Sequence, residues 1–232
     1  MIADVEPLVV SNVVLCLEEM YATEGGLMLT KEIAYALFNS LKEFSEWAQC
    51  DIMALLTRYV PNDDDEIFTI MNLLDGRLQH ANAGVVLAAA KLFLYFTRNM
   101  DSIRDDVYQR LKVPLLTLMA ASASELTYVC LQHLQIMLTR VPALLFSDHA
   151  SFFCRCNDAL YVKYLKLDIM TAICTGDNIK AIIDELTVYV TDVDMVSISV
   201  VVRWRVLVPG YAGITSMSTI ILLPWYDGIT SY

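Results

Sequence analysis

A histidine and two cysteines in the second half of the chain, His149, Cys154 and Cys156, are the closest approach to a metal site in the sequence. Imidazole and thiolate are preferred zinc ligands, but a structural zinc site needs four ligands and usually a second pair at a characteristic spacing. The neighbouring sequence offers no second pair. Because free cysteine is among the most commonly buried residues, we predict that these side chains are structural and bind no metal.

Cys130 and His133 are three residues apart and would share a helix face, an arrangement that a nucleophile and its base could use. The same face also carries four apolar side chains, Leu126, Val129, Leu134 and Met137. We therefore predict core packing rather than catalysis.

The acidic run 62–66 resembles a cation site in composition only. It lacks the alternating ligands, central glycine and terminal glutamate of a calcium loop, whereas capping and favourable charge at a helix N-terminus explain it well. The sequence also contains no glycine-rich phosphate loop, nucleophile elbow or paired carboxylates at catalytic spacing. We predict no catalytic residue, no cofactor and no metal site, and the partner-binding residues stay unassigned.

The composition of the 232-residue chain favours a helical protein. Apolar residues make up 56% and charged residues 19%, with only 8 Gly and 6 Pro, which is too apolar for disorder and too poor in turn residues for an all-β domain. The formal charge of -11 repels phosphates, so no nucleic acid partner is expected. Six scattered cysteines and a start without a secretory signal predict reduced thiols in the cytosol.

Apolar residues recur at helical spacing in couplets that follow one another roughly every 35 to 43 residues, close to the period of HEAT and armadillo arrays. Five helical pairs are predicted, with apolar faces over 10–21 and 33–41, 48–59 and 67–78, 85–96 and 107–118, 126–137 and a shorter segment from Pro142, and 162–173 and 179–190.

Several residues should mark the ends of these helices. We expect Gly25 and Gly26 to end the first helix, Thr30 to cap the second, and Asn62 or Asp63 to open the fourth. A capping box from Ser102 to Asp105, a kink at Pro114 and an end at Gly176 are also predicted. The fold class is all-α, a HEAT/armadillo-like α-solenoid of about five pairs over residues 1–195.

Residues 196–232 differ in character, with β-branched runs and few charges. Positions 206–226 carry no charge, but glycine, proline and hydroxyl residues dilute this run, so a bilayer span is disfavoured. We expect an aberrant apolar tail that is non-helical or disordered and lies outside the solenoid.

Several segments, in the right order, resemble the trunk of a β-adaptin, the large β subunit of an adaptor-protein complex. The segments are Arg77-Leu-Gln-His-Ala-Asn-Ala-Gly-Val-Val-Leu87, Tyr161-Val-Lys-Tyr-Leu-Lys-Leu-Asp-Ile-Met170, Glu185-Leu186 with Tyr189 and Thr191-Asp-Val-Asp194, and Trp47-Ala-Gln49, where the family has Gly at position 48. The resemblance covers roughly residues 7–194. Glu24-Gly-Gly26, Asn72-Leu-Leu-Asp75 and Lys91-Leu-Phe-Leu94 look most like the β subunit of the fourth adaptor-protein complex.

This resemblance implies a scaffold subunit of a vesicle-coat adaptor complex that sorts cargo at the trans-Golgi network or endosomes. Its implied partners are a second large adaptin, a medium chain, a small chain and an Arf-family GTPase, with peripheral membrane association through the complex. Family members carry further N-terminal repeats, trunk helices, a hinge and an ear, so the resemblance also implies a chain truncated at both ends.

The runner-up is a stand-alone armadillo-type peptide-binding module. A concave row of Asn or acidic side chains at repeat spacing would support it, and none is found. An enzyme ranks third, and a protein anchored in the membrane through its tail ranks fourth.

Overall fold

The computed structural model describes residues 6–121 and 123–191, which fall into two compact units, one within residues 1–122 and one within residues 123–232. In these described ranges the helices are α or 3₁₀ and no strand occurs. The predicted all-α fold class is confirmed.

The first unit contains six described α-helices whose alternate members pack on one another. Helix α1 packs on α3, α3 packs on α5, and α2 packs on α4. This two-layer stacking is the arrangement by which helical pairs of a solenoid cover their neighbours. The helices are α1 (Pro7–Met20), α2 (Lys31–Ser40), α3 (Glu46–Leu56), α4 (Asp64–Leu74), α5 (Ala83–Phe96) and α6 (Arg104–Ala121), with 3₁₀ turns at Ala22–Glu24, Leu41–Glu43 and Asp75–Gln79.

Large apolar side chains from these helices form the core of the first unit. Phe38 of α2 meets Phe96 of α5 edge to face, with ring centroids 6.5 Å apart. Other core side chains are almost completely buried, among them Leu37, Ile52, Leu56, Ile70, Leu74 and Phe93. Burying such a side chain stabilises the fold by about 1.5–3 kcal/mol, so this core is what holds the helical layers together.

Polar side chains fix the starts of four helices in the first unit. Thr30 accepts a hydrogen bond from the Ile33 amide at 3.4 Å, as predicted. Of the two candidates at the fourth helix, Asp63 is the cap. Ser45 and Asn82 cap α3 and α5. Such caps satisfy amide groups that have no partner within the helix.

The predicted start of α6 was wrong in detail. A capping box from Ser102 would begin the helix at residue 103, but α6 begins at Arg104. Arg104 instead forms an ion pair with Asp101, three residues earlier, at 2.5 Å, and this pair lies at the N-terminal end of α6. The helix continues through Pro114 to Ala121, and the kink expected there stays a prediction.

Two glycines with left-handed backbone follow α1, close to where the sequence predicted them. The helix itself ends at Met20, and a 3₁₀ turn intervenes before Gly25 (φ 97°) and Gly26 (φ 85°). A side chain at Gly26 would also overlap the Arg58 guanidinium, so this position needs glycine for both conformation and space.

The second unit contains helices α7 (Ser124–Arg140), α8 (Leu160–Ala172) and α9 (Ile179–Thr191) and a 3₁₀ segment, Pro142–Phe152. Helix α7 packs on α8, and the 3₁₀ segment packs on both. The segment begins at Pro142, as predicted, and bends at Asp148, whose backbone is non-helical (φ -102°, ψ 17°).

The predicted end of α8 at Gly176 was wrong. The helix ends at Ala172, and the buried Asn178 side chain builds the following turn. Its Oδ1 accepts from the Thr175 amide at 2.7 Å, and its Nδ2 donates to Ile173 O at 3.0 Å. Asparagine side chains that bond nearby backbone favour turns without a left-handed glycine.

The predicted tail, residues 196–232, lies outside the described residues, as does its disfavoured bilayer span. In the part of the chain that the structure describes, no helix combines the length and apolar character needed to cross a bilayer.

Candidate functional site

The three candidate metal ligands do not meet. His149 packs edge to face on Phe153, with centroids 6.1 Å apart, whereas Cys156 is exposed. Cys154 donates its thiol to Lys163 O at 3.8 Å, and burial raises the pKa of this thiol to about 11. Among the described residues no group of three or more His, Cys, Asp and Glu side chains could hold a metal. That the cysteines bind no metal stays a prediction.

Cys130 and His133 belong to different environments although they share α7. Cys130 is fully buried, and burial raises the pKa of its thiol to about 11, so it is a protonated thiol at neutral pH. His133 Nδ1 lies 2.8 Å from Val129 O and must carry the proton that it donates there. The thiolate is the nucleophilic form of cysteine, so this pair is poorly suited to nucleophilic catalysis.

The acidic run at α4 holds a buried carboxylate, Glu66, which the sequence reasoning did not single out. Its Oε1 accepts from the Tyr59 hydroxyl at 2.5 Å and lies 3.4 Å from Lys31 Nζ, and its Oε2 accepts from the Asn62 amide at 2.8 Å. Burial alone would raise the pKa of Glu66, but the hydrogen bonds and the lysine charge hold it below its ordinary value. The carboxylate therefore ties α2, the segment between α3 and α4, and α4 together.

Arg58 secures the loop between α1 and α2. Its guanidinium pairs with Glu18 at 2.5 Å and donates to the carbonyls of Gly25 at 2.8 Å and Leu27 at 3.1 Å. Glu18 in turn accepts from the Leu27 amide at 2.8 Å. One side chain from the turn after α3 thus fixes the loop between α1 and α2.

Two of the segments that carry the family resemblance meet at the seam between α3 and the loop before α5. Gln49 is buried, donates to Phe44 O at 2.9 Å and accepts from Arg77 at 3.3 Å. Asn82 caps Gly84 N at 2.8 Å while its amide donates to Glu46 at 2.6 Å. These residue types therefore serve to join consecutive helical pairs.

The second unit has its own polar centre at Lys166, which the sequence reasoning also missed. Lys166 is 3% exposed, pairs with Asp158 at 2.6 Å and donates to Phe153 O at 3.2 Å. Burial would raise the pKa of Asp158, but the bonds from Lys166 and the Arg155 amide lower it. Tyr189 of α9 accepts from the Cys154 amide at 2.7 Å, so α8, α9 and the loop before α8 are joined.

Each of these clusters is built from groups that satisfy one another between helices. Hydrogen bonds and nearby lysines lower the pKa of the Glu66 and Asp158 carboxyls, Lys166 is paired, and burial keeps the Cys130 and Cys154 thiols protonated at neutral pH, which leaves these groups stable rather than reactive. Such networks rigidify an array and specify its packing. The arrangement is suited to a scaffold.

Comparison with known proteins agrees with this arrangement. A family model described as the adaptin N terminal region matches residues 1–205. The chain belongs to the adaptin family. The matched region of this adaptin continues past residue 195, where we predicted that the solenoid ends, so that boundary stays a prediction.

The relatives of this adaptin include β chains of several complexes. It is 40% identical over 205 residues to beta-adaptin-like protein A of Arabidopsis thaliana, covering 84% of this chain and 24% of the relative. It is 37% identical over 199 residues to the AP-4 complex subunit beta of Dictyostelium discoideum, covering 84% and 23%. It is 35% identical over 201 residues to the human AP-1 complex subunit beta-1, covering 84% and 21%.

These similarities support a β-adaptin and do not favour a stand-alone armadillo-type module. The chain spans about a quarter of the length of the curated relatives it matches. Beta-adaptins are scaffold proteins rather than enzymes, in agreement with the prediction from the sequence. The AP-1, AP-2 and AP-4 β chains are similarly related to it, so the predicted subtype is not distinguished by identity.

Proposed function

We propose that this β-adaptin is a scaffold subunit of a vesicle-coat adaptor complex and acts in intracellular protein transport by binding other subunits. The observation that carries the proposal is the adaptin match over residues 1–205, together with relatives that are named as β subunits of adaptor complexes. The proposed partners are a second large adaptin, a medium chain and a small chain.

The physical character of the described units supports a binding role. Their helices are joined by buried polar clusters at Glu66, Gln49 and Lys166, which keep the helical layers in one arrangement. A preorganised surface loses less conformational entropy when a partner binds. Rigid helical pairs can therefore present the same surface to each subunit.

We further propose that the complex is of the fourth adaptor type and acts at the trans-Golgi network or endosomes. Residues 24–26, 72–75 and 91–94 support this subtype through the family resemblance. Association with an Arf-family GTPase, a cytoplasmic location and peripheral attachment to the membrane through the complex belong to the same proposal.

Co-expression with candidate medium chains tests both the scaffold role and the AP-4 subtype. The tagged chain is expressed with medium chains of the AP-1, AP-2 and AP-4 types in turn, and each pair is recovered by affinity purification. Recovery of one medium chain at equal stoichiometry supports the scaffold role, and the AP-4 type should be retained best. An Ile52→Asp variant, which places a charge at a fully buried position, is the control for non-specific adhesion of unfolded chain.

Failure of all three medium chains to bind the folded chain would refute the scaffold role in this form. Equal recovery of the three types of medium chain would agree with the scaffold role and contradict the proposed AP-4 subtype.

A further inference from the structure

Helix α8 turns its lysines inward and its tyrosines outward. Lys163 and Lys166 are 7% and 3% exposed, whereas Tyr161 and Tyr164 are 43% and 42% exposed. A helix that borders water normally places apolar and aromatic side chains toward the core and charged ones toward the solvent. The outward face of α8 is therefore not built as an ordinary solvent face.

Residues from the start of α8 and from α7 extend this aromatic surface. Tyr128 of α7 meets Tyr161 edge to face, with ring centroids 5.3 Å apart and an interplanar angle of 81°. Leu160, beside Tyr161, is 58% exposed. We call Tyr128, Leu160, Tyr161 and Tyr164 the tyrosine patch. Aromatic rings held in fixed positions at low entropic cost are typical anchors of protein interfaces.

An exposed carboxylate lies beside the tyrosine patch. Glu125 lies three residues before Tyr128 on α7, so its carboxylate is a helical neighbour of a patch tyrosine. The two lysines of α8 are turned inward, since Lys163 is buried and Lys166 pairs with Asp158 at 2.6 Å inside the unit. The patch thus combines exposed aromatic faces with an exposed carboxylate.

We propose that the tyrosine patch is a docking surface for a partner protein segment that presents apolar side chains beside an arginine. The apolar side chains would cover Leu160 and the tyrosine rings. A guanidinium stacks on an aromatic face and pairs with carboxylates, which lysine does less well. This surface goes beyond the proposed assembly with adaptor subunits, and it does not depend on the subtype of the complex.

Two synthetic helical peptides test the proposal on the full chain. Both carry the same leucine face, but one has arginines and the other has glutamates at the flanking positions. Fluorescence anisotropy should show binding of the arginine peptide and at least roughly tenfold weaker binding of the glutamate peptide. The Tyr161→Ser/Tyr164→Ser double variant should also bind the arginine peptide at least roughly tenfold more weakly.

Matched variants separate docking from folding. Tyr21→Ser changes a tyrosine of the first unit that is also 43% exposed, and it should leave the affinity unchanged. Tyr164→Ser alone keeps the contact between Tyr128 and Tyr161 and should still weaken binding. Glu125→Gln should weaken binding of the arginine peptide without altering the unfolding midpoint.

The proposal is overturned if the two peptides bind equally, or if Tyr21→Ser weakens binding as much as the double variant does. Absence of binding by both peptides to the folded chain would overturn it as well. Sedimentation provides the last test, because self-association abolished by the double variant would make the patch a contact between copies of this chain instead.

Discussion

The two units bury charges of opposite sign and satisfy them differently. In the first unit the carboxylate of Glu66 is 4% exposed and receives hydrogen bonds from Tyr59 and the Asn62 amide, with Lys31 nearby. In the second unit the ammonium of Lys166 is 3% exposed and has one carboxylate, Asp158, and one carbonyl as partners.

The number of partners sets how sensitive a buried charge is to the loss of any one of them. The Glu66 carboxylate is held by several donors, so loss of one donor leaves others in place. Among the described residues, Asp158 is the counter-charge that pairs with Lys166, and an uncompensated buried charge is strongly destabilising. The second unit should therefore respond more sharply to a single change at its charge centre.

Asp158→Ala should give the largest effect. The substitution leaves the Lys166 ammonium buried without its carboxylate, so we expect the free energy of unfolding to fall by about 3–5 kcal/mol. Urea unfolding followed by circular dichroism measures this loss. A Lys166→Met/Asp158→Ala double variant is the control, because removal of both charges should recover most of the stability. A loss below about 1 kcal/mol in Asp158→Ala would contradict the assignment.

Glu66→Ala should have a smaller effect in the first unit. It removes the acceptor of the Tyr59 hydroxyl and the Asn62 amide, and leaving buried donors unsatisfied costs about 1–3 kcal/mol. Asp64→Ala changes an exposed neighbour in the same helical turn and should alter stability by less than about 0.5 kcal/mol. Equal urea midpoints for the two variants would show that Glu66 has no special role.

Gly26→Ala tests the loop that Arg58 secures in the first unit. A left-handed backbone costs a non-glycine residue about 1–2 kcal/mol, and here the new side chain must also displace the Arg58 guanidinium. Gly25→Ala is the matched control, because Gly25 is also left-handed but has open space around it. Thermal unfolding should show a greater fall in Tm for Gly26→Ala than for Gly25→Ala. The reverse order would contradict the close approach of Arg58 to Gly26.

The free energy of unfolding should fall at alkaline pH. The second unit contains two thiols, Cys130 and Cys154, whose pKa burial raises to about 11. Unfolded thiols ionise near a pKa of about 8.5, so their contribution to stability is complete below that pH and is lost as the pH rises through the folded pKa. Cys154→Ala should flatten the fall of the urea midpoint over this window. Cys16→Ala, at an exposed position, should leave the slope unchanged.

Much of the fold could be predicted because it follows from local patterns. The apolar spacing of Val162, Ile169 and Ile173 identified the buried face of α8, and all three are buried. Thr30 and Asp63 were recognisable as caps because capping needs only a short side chain before a helix.

The polar centres could not be predicted in the same way. A lysine in a helical pattern is read as solvent-facing, and nothing local shows that Lys166 finds Asp158 eight residues earlier in a packed unit. The contact of Gln49 with Arg77 joins residues 28 positions apart and exists only after α3 has packed beside the loop before α5. The predicted end of α8 at Gly176 was wrong for a related reason, because the Asn178 side chain rather than a glycine builds that turn.

The smallest effect is expected from removal of the C-terminal tail. Deletion of residues 196–232 should leave the helical circular dichroism signal per chain and the unfolding midpoint unchanged, because we predict that the tail is not part of the solenoid. Deletion of residues 206–232 is the control, since it keeps the whole range of the adaptin match. If only the longer deletion melts the helices, the array extends beyond residue 195.

The most direct test of the proposed scaffold role is the mass of the particle formed with a medium chain. The purified 26.1 kDa chain is mixed with the medium chain that it retains best, and the mass is measured by sedimentation equilibrium. We predict one species whose mass is the sum of one copy of each chain. A folded chain that sediments alone at every concentration of the medium chain would contradict the scaffold role.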